Sequence, residues 1–303
     1  MQVTEIDVSS WDTSSASNMG WMFYGNPQLK TLDVSKWDVS KVTNFHHMFA
    51  WCTGLEIKGL ENWNPKSAIH TNAMFHSNQT SNYDLSNWDV SNVENFGQMF
   101  ERNTRVTEIK GLEKWNTSKG KTFNEMFYGC TNLKVLDLSS FDTRAAQDGW
   151  IDEIRNLSLP GMQSMFGLNS TETSHDYGGL CRLEKITLGP NFSFNGNGSC
   201  NRTTLPNQTG AYVPGADGNW YTRHREAYAP ADVPSNKAAT YYATLDMVND
   251  LEYLIKNGSM LDIADAIRAK ANITDYLNVQ EMIGAIDGIV GVNDLIDAEE
   301  VEF

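Results

Sequence analysis

At 303 residues, with 40% hydrophobic and 20% charged side chains, the chain has ample length to bury a core and reads as folded. Its 23 Lys and Arg stand against 38 Asp and Glu, a net charge of −15. That balance argues against nucleic acid and against an anionic membrane surface, since both are held by clustered cations. No run of about eighteen apolar residues occurs, so no membrane insertion is expected.

The N-terminal half repeats itself. An aromatic landmark recurs at Trp11, Trp37, Trp63, Trp88, Trp115 and Phe141, at spacings of 26, 26, 25, 27 and 26 residues. A Met-Phe pair keeps step with it at Met22-Phe23, Met48-Phe49, Met74-Phe75, Met99-Phe100 and Met126-Phe127. Two landmarks in one register point to stacked repeats, each unable to bury its apolar face alone. The predicted fold class is therefore an α/β repeat: a leucine-rich-repeat-like, right-handed solenoid of coils of about 26 residues, each a short strand plus one helical turn.

Within each copy, alternating apolar residues (Ile6/Val8, Leu32/Val34, Tyr83/Leu85, Leu136/Leu138) put two side chains on one face of a strand. In the third and fifth copies the run becomes IKGLENW and IKGLEKW, where Gly59 and Gly111 allow a kink or bulge. Asp12, Asp38, Asp89, Asn116 and Asp142 then offer side-chain-to-backbone turns. Asn18, Asn44, Asn95 and Thr122 are candidate caps for the helical turn that carries Met and Phe. Cys52 and Cys130 share a repeat position three copies apart, too far to bridge, and read as small buried side chains. Cys181 and Cys200 could pair.

The regular copies run to about residue 143, and a looser stretch to 190 completes the repeat region, residues 1–190. WIDEIRNLSLPGMQSMFGL reads as an extra helical segment with one more Met-Phe pair, and GGLCRLEKITLGPNF as a last strand. Residues 191–243, rich in Gly, Asn, Pro and Tyr, read as an irregular cap whose Tyr212, Trp220, Tyr221 and Tyr228 cover the end of the array. Residues 244–303 turn helical and acidic, and read as an oligomerisation or docking segment. The first fifteen residues lack the basic region and apolar stretch of a secretory signal.

LDVSKWDVSKVTNFHHMF and LDLSSFDTR, with the closing ITLGPNFSFNGNG and YVPGADGNWYTR, resemble the BspA-type leucine-rich-repeat surface proteins over about residues 4–243. That resemblance implies an extracellular array that binds a partner. DIADAIRAKANITDYLNVQEMIGAIDGI resembles a short element of bacteriophage tail and fibre proteins. Together they imply a virion protein, a tail-fibre or tail-tip component that attaches to a host-cell glycan or surface protein. Its C-terminal helices would contact other tail proteins and a homo-oligomer would form. The alternative is a bacterial cell-surface adhesin of the same repeats.

No catalytic constellation is expected: the chain carries no Gly-rich phosphate loop, GxSxG elbow or HExxH motif. A glycan-cleaving enzyme would need an unlike carboxylate pair, placed near residues 144–200. The recurring Asp positions are like rather than unlike, so they read as turns. The six His fit no zinc spacing with the Cys, so no metal and no cofactor are expected.

Core positions are those that recur: Trp11, Trp37, Trp63, Trp88, Trp115 and Phe141, with Met48, Phe49, Met74, Phe75, Met99, Phe100, Met126 and Phe127. Ligand-binding candidates are the residues the repeat does not need. These are Trp21, Tyr24, His46, His47, Trp51, His76, Arg102, Arg105 and Tyr128, whose rings and cations suit a glycan or protein surface.

Overall fold

The computed structural model describes residues 3–152, 157–167, 182–197 and 203–249. Within them the expected leucine-rich-repeat-like solenoid, with its helical turn in every repeat, does not form. The chain is built almost wholly of small sheets. Strands β1 (Thr31–Asp33) and β2 (Glu56–Lys58) pair in parallel, as do β3 (Asn82–Asp84) and β4 (Glu108–Lys110). Strands β6 (Trp150–Asp152) and β7 (Leu157–Leu159) pair antiparallel where an extra helix was expected. A mixed five-stranded sheet closes the molecule in the order β10-β9-β11-β8-β5. Its strands are β5 (Val135–Leu138), β8 (Lys185–Leu188), β9 (Trp220–Thr222), β10 (Ala227–Tyr228) and β11 (Ala239–Tyr242). Strand β8 runs parallel to β5, and β11 lies antiparallel to β8.

The helical turn fails because its amides are used elsewhere. In the Met-Phe stretch alternate N–H groups donate to the next repeat: Phe23 to Met48 O at 3.0 Å, Phe49 to Met74 O at 2.9 Å, Phe75 to Met99 O at 3.0 Å and Phe100 to Met126 O at 3.0 Å. The residues between close short turns, as when Met48 N donates to Phe45 O at 3.0 Å. A helix needs those same donors for its own carbonyls four residues back. Asn18, Asn44 and Asn95 accordingly accept from the amides of Gly20, His46 and Gly97 two residues on, as Asx turns rather than helix caps.

The landmarks stack in two ladders of rings. Trp11, Trp37, Trp63, Trp88, Trp115 and Phe141 follow one another at 5.9, 6.2, 6.1, 6.4 and 6.2 Å between ring centroids. Phe23, Phe49, Phe75, Phe100 and Phe127 do the same at 5.7–5.8 Å. These are favourable offset-stacking separations. Met48, Met74, Met99 and Met126 are buried beside them. Trp11 departs from its expected core role: it is 42% exposed, because it stacks on Trp37 and Phe23 from one side and has no described neighbour on the other.

Three of the interior rings are also tied to the repeat before them. Trp37, Trp63 and Trp88 donate Nε1–H to the carbonyls of Val8, Val34 and Leu60 at 3.4, 3.0 and 2.9 Å. Phe141 has no such donor, and Ser140 Oγ donates to Leu112 O at 3.0 Å in its stead. Cys52 and Cys130 are buried and free, as expected, and each thiol donates to the preceding repeat's Phe carbonyl, Phe23 O and Phe100 O. Asn103 occupies the same position and makes the same bond, its Nδ2 donating to Phe75 O. The position selects a small donor.

Strands pair within couples of repeats because alternate copies carry one extra residue. Ile57 to Trp63 is one longer than Leu32 to Trp37. Gly59 takes up that residue at φ 93° and Gly111 at φ 97°, each leading into a short 3-10 turn. A Cβ on Gly59 would lie 2.3 Å from Ser35 Cα, so the third repeat leans on the second. The fifth leans on the fourth through Gly111 and Ser86.

Residues 191–243 are less irregular than expected, since they supply β9, β10 and β11 to the closing sheet. Trp220 is buried and donates Nε1–H to Pro206 O at 2.9 Å, Tyr221 and Tyr228 are half-buried, and Tyr212 is exposed. Beyond them one short helix, Leu245–Asn249, is described. The remaining C-terminal helices, the oligomerisation segment and the Cys181–Cys200 pair lie outside the described residues.

Candidate binding face

The Met-Phe stretch presents one surface to the outside, and its backbone is unusual. Trp21, His47, Ala73, Gln98 and Glu125 occupy one register position in five successive repeats, all with φ between 52° and 62°. Four residues on, Gly25, Trp51, Ser77, Arg102 and Gly129 are left-handed as well. The ladder of bonds between repeats imposes this geometry on whichever residue stands there. For a non-glycine residue it costs about 1 kcal/mol or more. Trp21 and Trp51 in these two register columns are exposed and His47, Gln98, Arg102 and Glu125 half-buried, while Ala73 and Ser77 are buried.

In the first two repeats those columns carry large rings. Trp21 stacks on His47 at 4.1 Å with 12° between planes and meets Tyr24 edge-on at 4.5 Å. His46 sits edge-on to Trp21 at 4.8 Å and to His47 at 4.5 Å. Trp21, Tyr24 and Trp51 are 46%, 43% and 43% exposed. Trp51 lies 5.4 Å from the His76 ring. Beneath Trp51 lies a buried polar cluster: His76 Nδ1 is 3.0 Å from Glu101 Oε2, and Arg102 Nε is 3.3 Å from Glu101 Oε1. Gln98 Nε2 donates to Glu125 Oε2 at 2.9 Å. Burial raises the Glu125 carboxyl above the usual carboxylate range, and the neighbouring Glu101 charge adds to it.

Eight of the nine candidate residues thus come together on one face. Two of the eight are not surface groups: His46 and His76 are buried, under Trp21 and beside Trp51 respectively, and act as the underside of the exposed rings. His47, Arg102 and Tyr128 are half-buried, with Tyr128 at the register position of His76 and Glu101. Arg105 stands apart, lining a groove of about 440 Å³ with Lys30, Glu56 and Gln79 at the strand side. Sequence reasoning missed Glu101, Gln98 and Glu125. Their signal was positional, since each falls at a register position of the repeat that already held a candidate.

The Asp positions resolve as turns. Asp7, Asp12, Asp33, Asp38, Asp84 and Asp89 each accept the backbone N–H of a Ser two residues on, at 2.9–3.1 Å. The hydroxyl of the same Ser, and then its amide, hold every one of these carboxyls below the usual range.

The geometry defines a repeat protein with two ring ladders inside and an aromatic–histidine face outside. The family described as "Mycoplasma protein of unknown function, DUF285" matches residues 1–109 and again residues 51–150, so the array is similar to that family through its regular repeats. No curated protein and no solved structure matches the chain.

Proposed function

We propose that this chain is a non-enzymatic attachment protein whose aromatic–histidine face contacts a host-cell glycan or surface protein. The observation that carries the reading is the concentration of Trp21, Tyr24 and Trp51 on two adjacent repeats. Two of these, Trp21 and Trp51, stand at backbone positions where glycine would be easier. Large exposed rings at strained positions do nothing for the ladders and are suited to an apolar contact with a partner. Placement on a virion, as a tail-fibre or tail-tip component, is supported by the likeness of the C-terminal element to phage proteins. That segment would join tail proteins or further copies of the chain.

A second reading, a bacterial cell-surface adhesin, is favoured by the match to a family described from a cellular organism. Adsorption of purified protein to a panel of bacterial cells tests attachment. Trp21→Ala with Trp51→Ala is expected to abolish adsorption while leaving the melting temperature nearly unchanged. Undiminished adsorption would remove the face from the proposal, and sugar released from the cells would replace binding with cleavage. Immunogold labelling of intact phage and of bacteria separates the two locations. Solution mass before and after deletion of residues beyond Thr244 tests the assembly role, which an unchanged oligomeric state would end.

A further inference from the structure

At the far end of the molecule from Trp21, the closing sheet carries a second recess of about 540 Å³, a volume suited to a small ligand. It lies where four strand ends meet: the C-terminal ends of β5, β8 and β9 and the N-terminal start of β11. Parallel pairing of β5 with β8, and antiparallel pairing of β11 with β8 and β9, bring these ends to one side. Its lining divides by chemistry. Arg223, His224 and Lys237 supply positive or protonatable groups, against the single carboxylate of Glu226. Two permanent cations facing one anion is a local reversal in a chain whose net charge is −15.

These groups are held in place. Lys237 Nζ lies 3.7 Å from Glu226 Oε2 and donates to Tyr228 Oη at 3.3 Å. The bond to Tyr228 keeps the ammonium pKa above its ordinary value, so Lys237 is charged at neutral pH. Arg223 Nε donates to His224 Nε2 at 3.1 Å. Beside the cations, Thr187 and Thr240 are directly opposed across β8 and β11, and their hydroxyls share a hydrogen bond at 3.1 Å. The exposed Pro190 and Ala238 add an apolar wall.

A ligand matching this lining carries a carboxylate for the cations, several hydroxyls for the threonines and a C–H face for the wall. We propose that the recess is a binding site for an acidic sugar, a hexuronate or an equivalent carboxylated residue of a glycan. The site shares no residue with the aromatic face, so its failure would leave the attachment reading standing.

Calorimetric titration of the full chain with glucuronate, glucose and acetate tests it. Glucuronate is expected to bind saturably and glucose not at all. Arg223→Gln or Lys237→Gln is expected to weaken glucuronate about tenfold, the worth of one charge-assisted contact. Neither side chain is buried, and an unchanged thermal melt in each variant certifies the fold. Absence of glucuronate binding, equal binding of glucose, acetate binding as tight as glucuronate, or unaltered affinity in both variants would each overturn the proposal.

Discussion

At the scale of single residues, repeats allow the same substitution to be compared in nearly identical surroundings. Trp88 and Trp115 both stack between ring neighbours and both are buried. Trp88 Nε1 donates to Leu60 O at 2.9 Å, whereas Trp115 Nε1 has no partner among the described residues. Trp88→Phe removes a buried bond, although Leu60 O still accepts from Trp63 N at 3.1 Å, so it is expected to cost about 1 kcal/mol more than Trp115→Phe. Equal urea midpoints for the two variants would show that the indole bonds contribute nothing. Gly25 and Gly111 form a second pair. Both are left-handed, but a Cβ on Gly25 would meet nothing within 4 Å, while one on Gly111 would sit 2.6 Å from the backbone of Leu85 and Ser86. Gly25→Ala should cost about 1 kcal/mol for backbone strain alone, and Gly111→Ala about 3 kcal/mol, because the fifth repeat must also move off the fourth. A smaller loss at Gly111 than at Gly25 would contradict the close packing of the paired repeats.

At the scale of elements, the periodicity showed which residues recur but not what backbone they recur in. Ring landmarks, the Met-Phe pair, the bulge glycines and the buried cysteines were all legible, because each is a side chain repeated in register. The left-handed columns were not. Apolar residues spaced three and four apart fit one face of a helical turn, and they fit a run of turns bonded to the next repeat equally well. What distinguishes the two is where the amides of Phe49 and Trp51 point, and side-chain spacing does not report it. The β6–β7 pairing was missed for a related reason: Trp150, Ile151 and Leu157 are a short apolar cluster that suits helix or strand. The candidate face was recovered by subtraction, by asking which positions the repeat leaves free. That procedure found Trp21 and Trp51, but it counted His46 and His76 as surface because burial by a neighbouring repeat is invisible within one copy. The cysteines carry the element-scale test. Burial raises both thiols above the usual range, Cys130 the further, so the Cys52 and Cys130 peptides should stay unalkylated by iodoacetamide in the folded chain and react fully in denaturant. Labelling of either in native protein would mean that adjacent repeats separate readily.

At the scale of the whole molecule, charge and turns act in opposite directions as pH falls. With a net charge of −15 and an isoelectric point near 4.7, protonation between neutrality and pH 5 relieves repulsion across the chain. The turn carboxylates respond differently. Asp33, Asp38, Asp84 and Asp89 have folded-state pKa values below those of the unfolded chain, because a Ser donates to each. Above about pH 4 both states are ionised and the turn bonds contribute in full. Below it the unfolded chain takes up protons first, and the contribution is lost as pH descends through the lowered folded values. Melting temperature should therefore hold or rise slightly from pH 7 to pH 5 and fall steeply below pH 4. Asn116, which accepts from Ser118 N in the same kind of turn, shows that an amide can replace the carboxylate. Replacing the four aspartates by Asn should leave the neutral melting temperature nearly unchanged and flatten the acid limb. An acid limb as steep in that variant as in the natural chain would mean that acid sensitivity arises elsewhere. The partly buried Asp142–Arg144 pair, and Asp217 beneath Tyr221, would then be the groups to replace next.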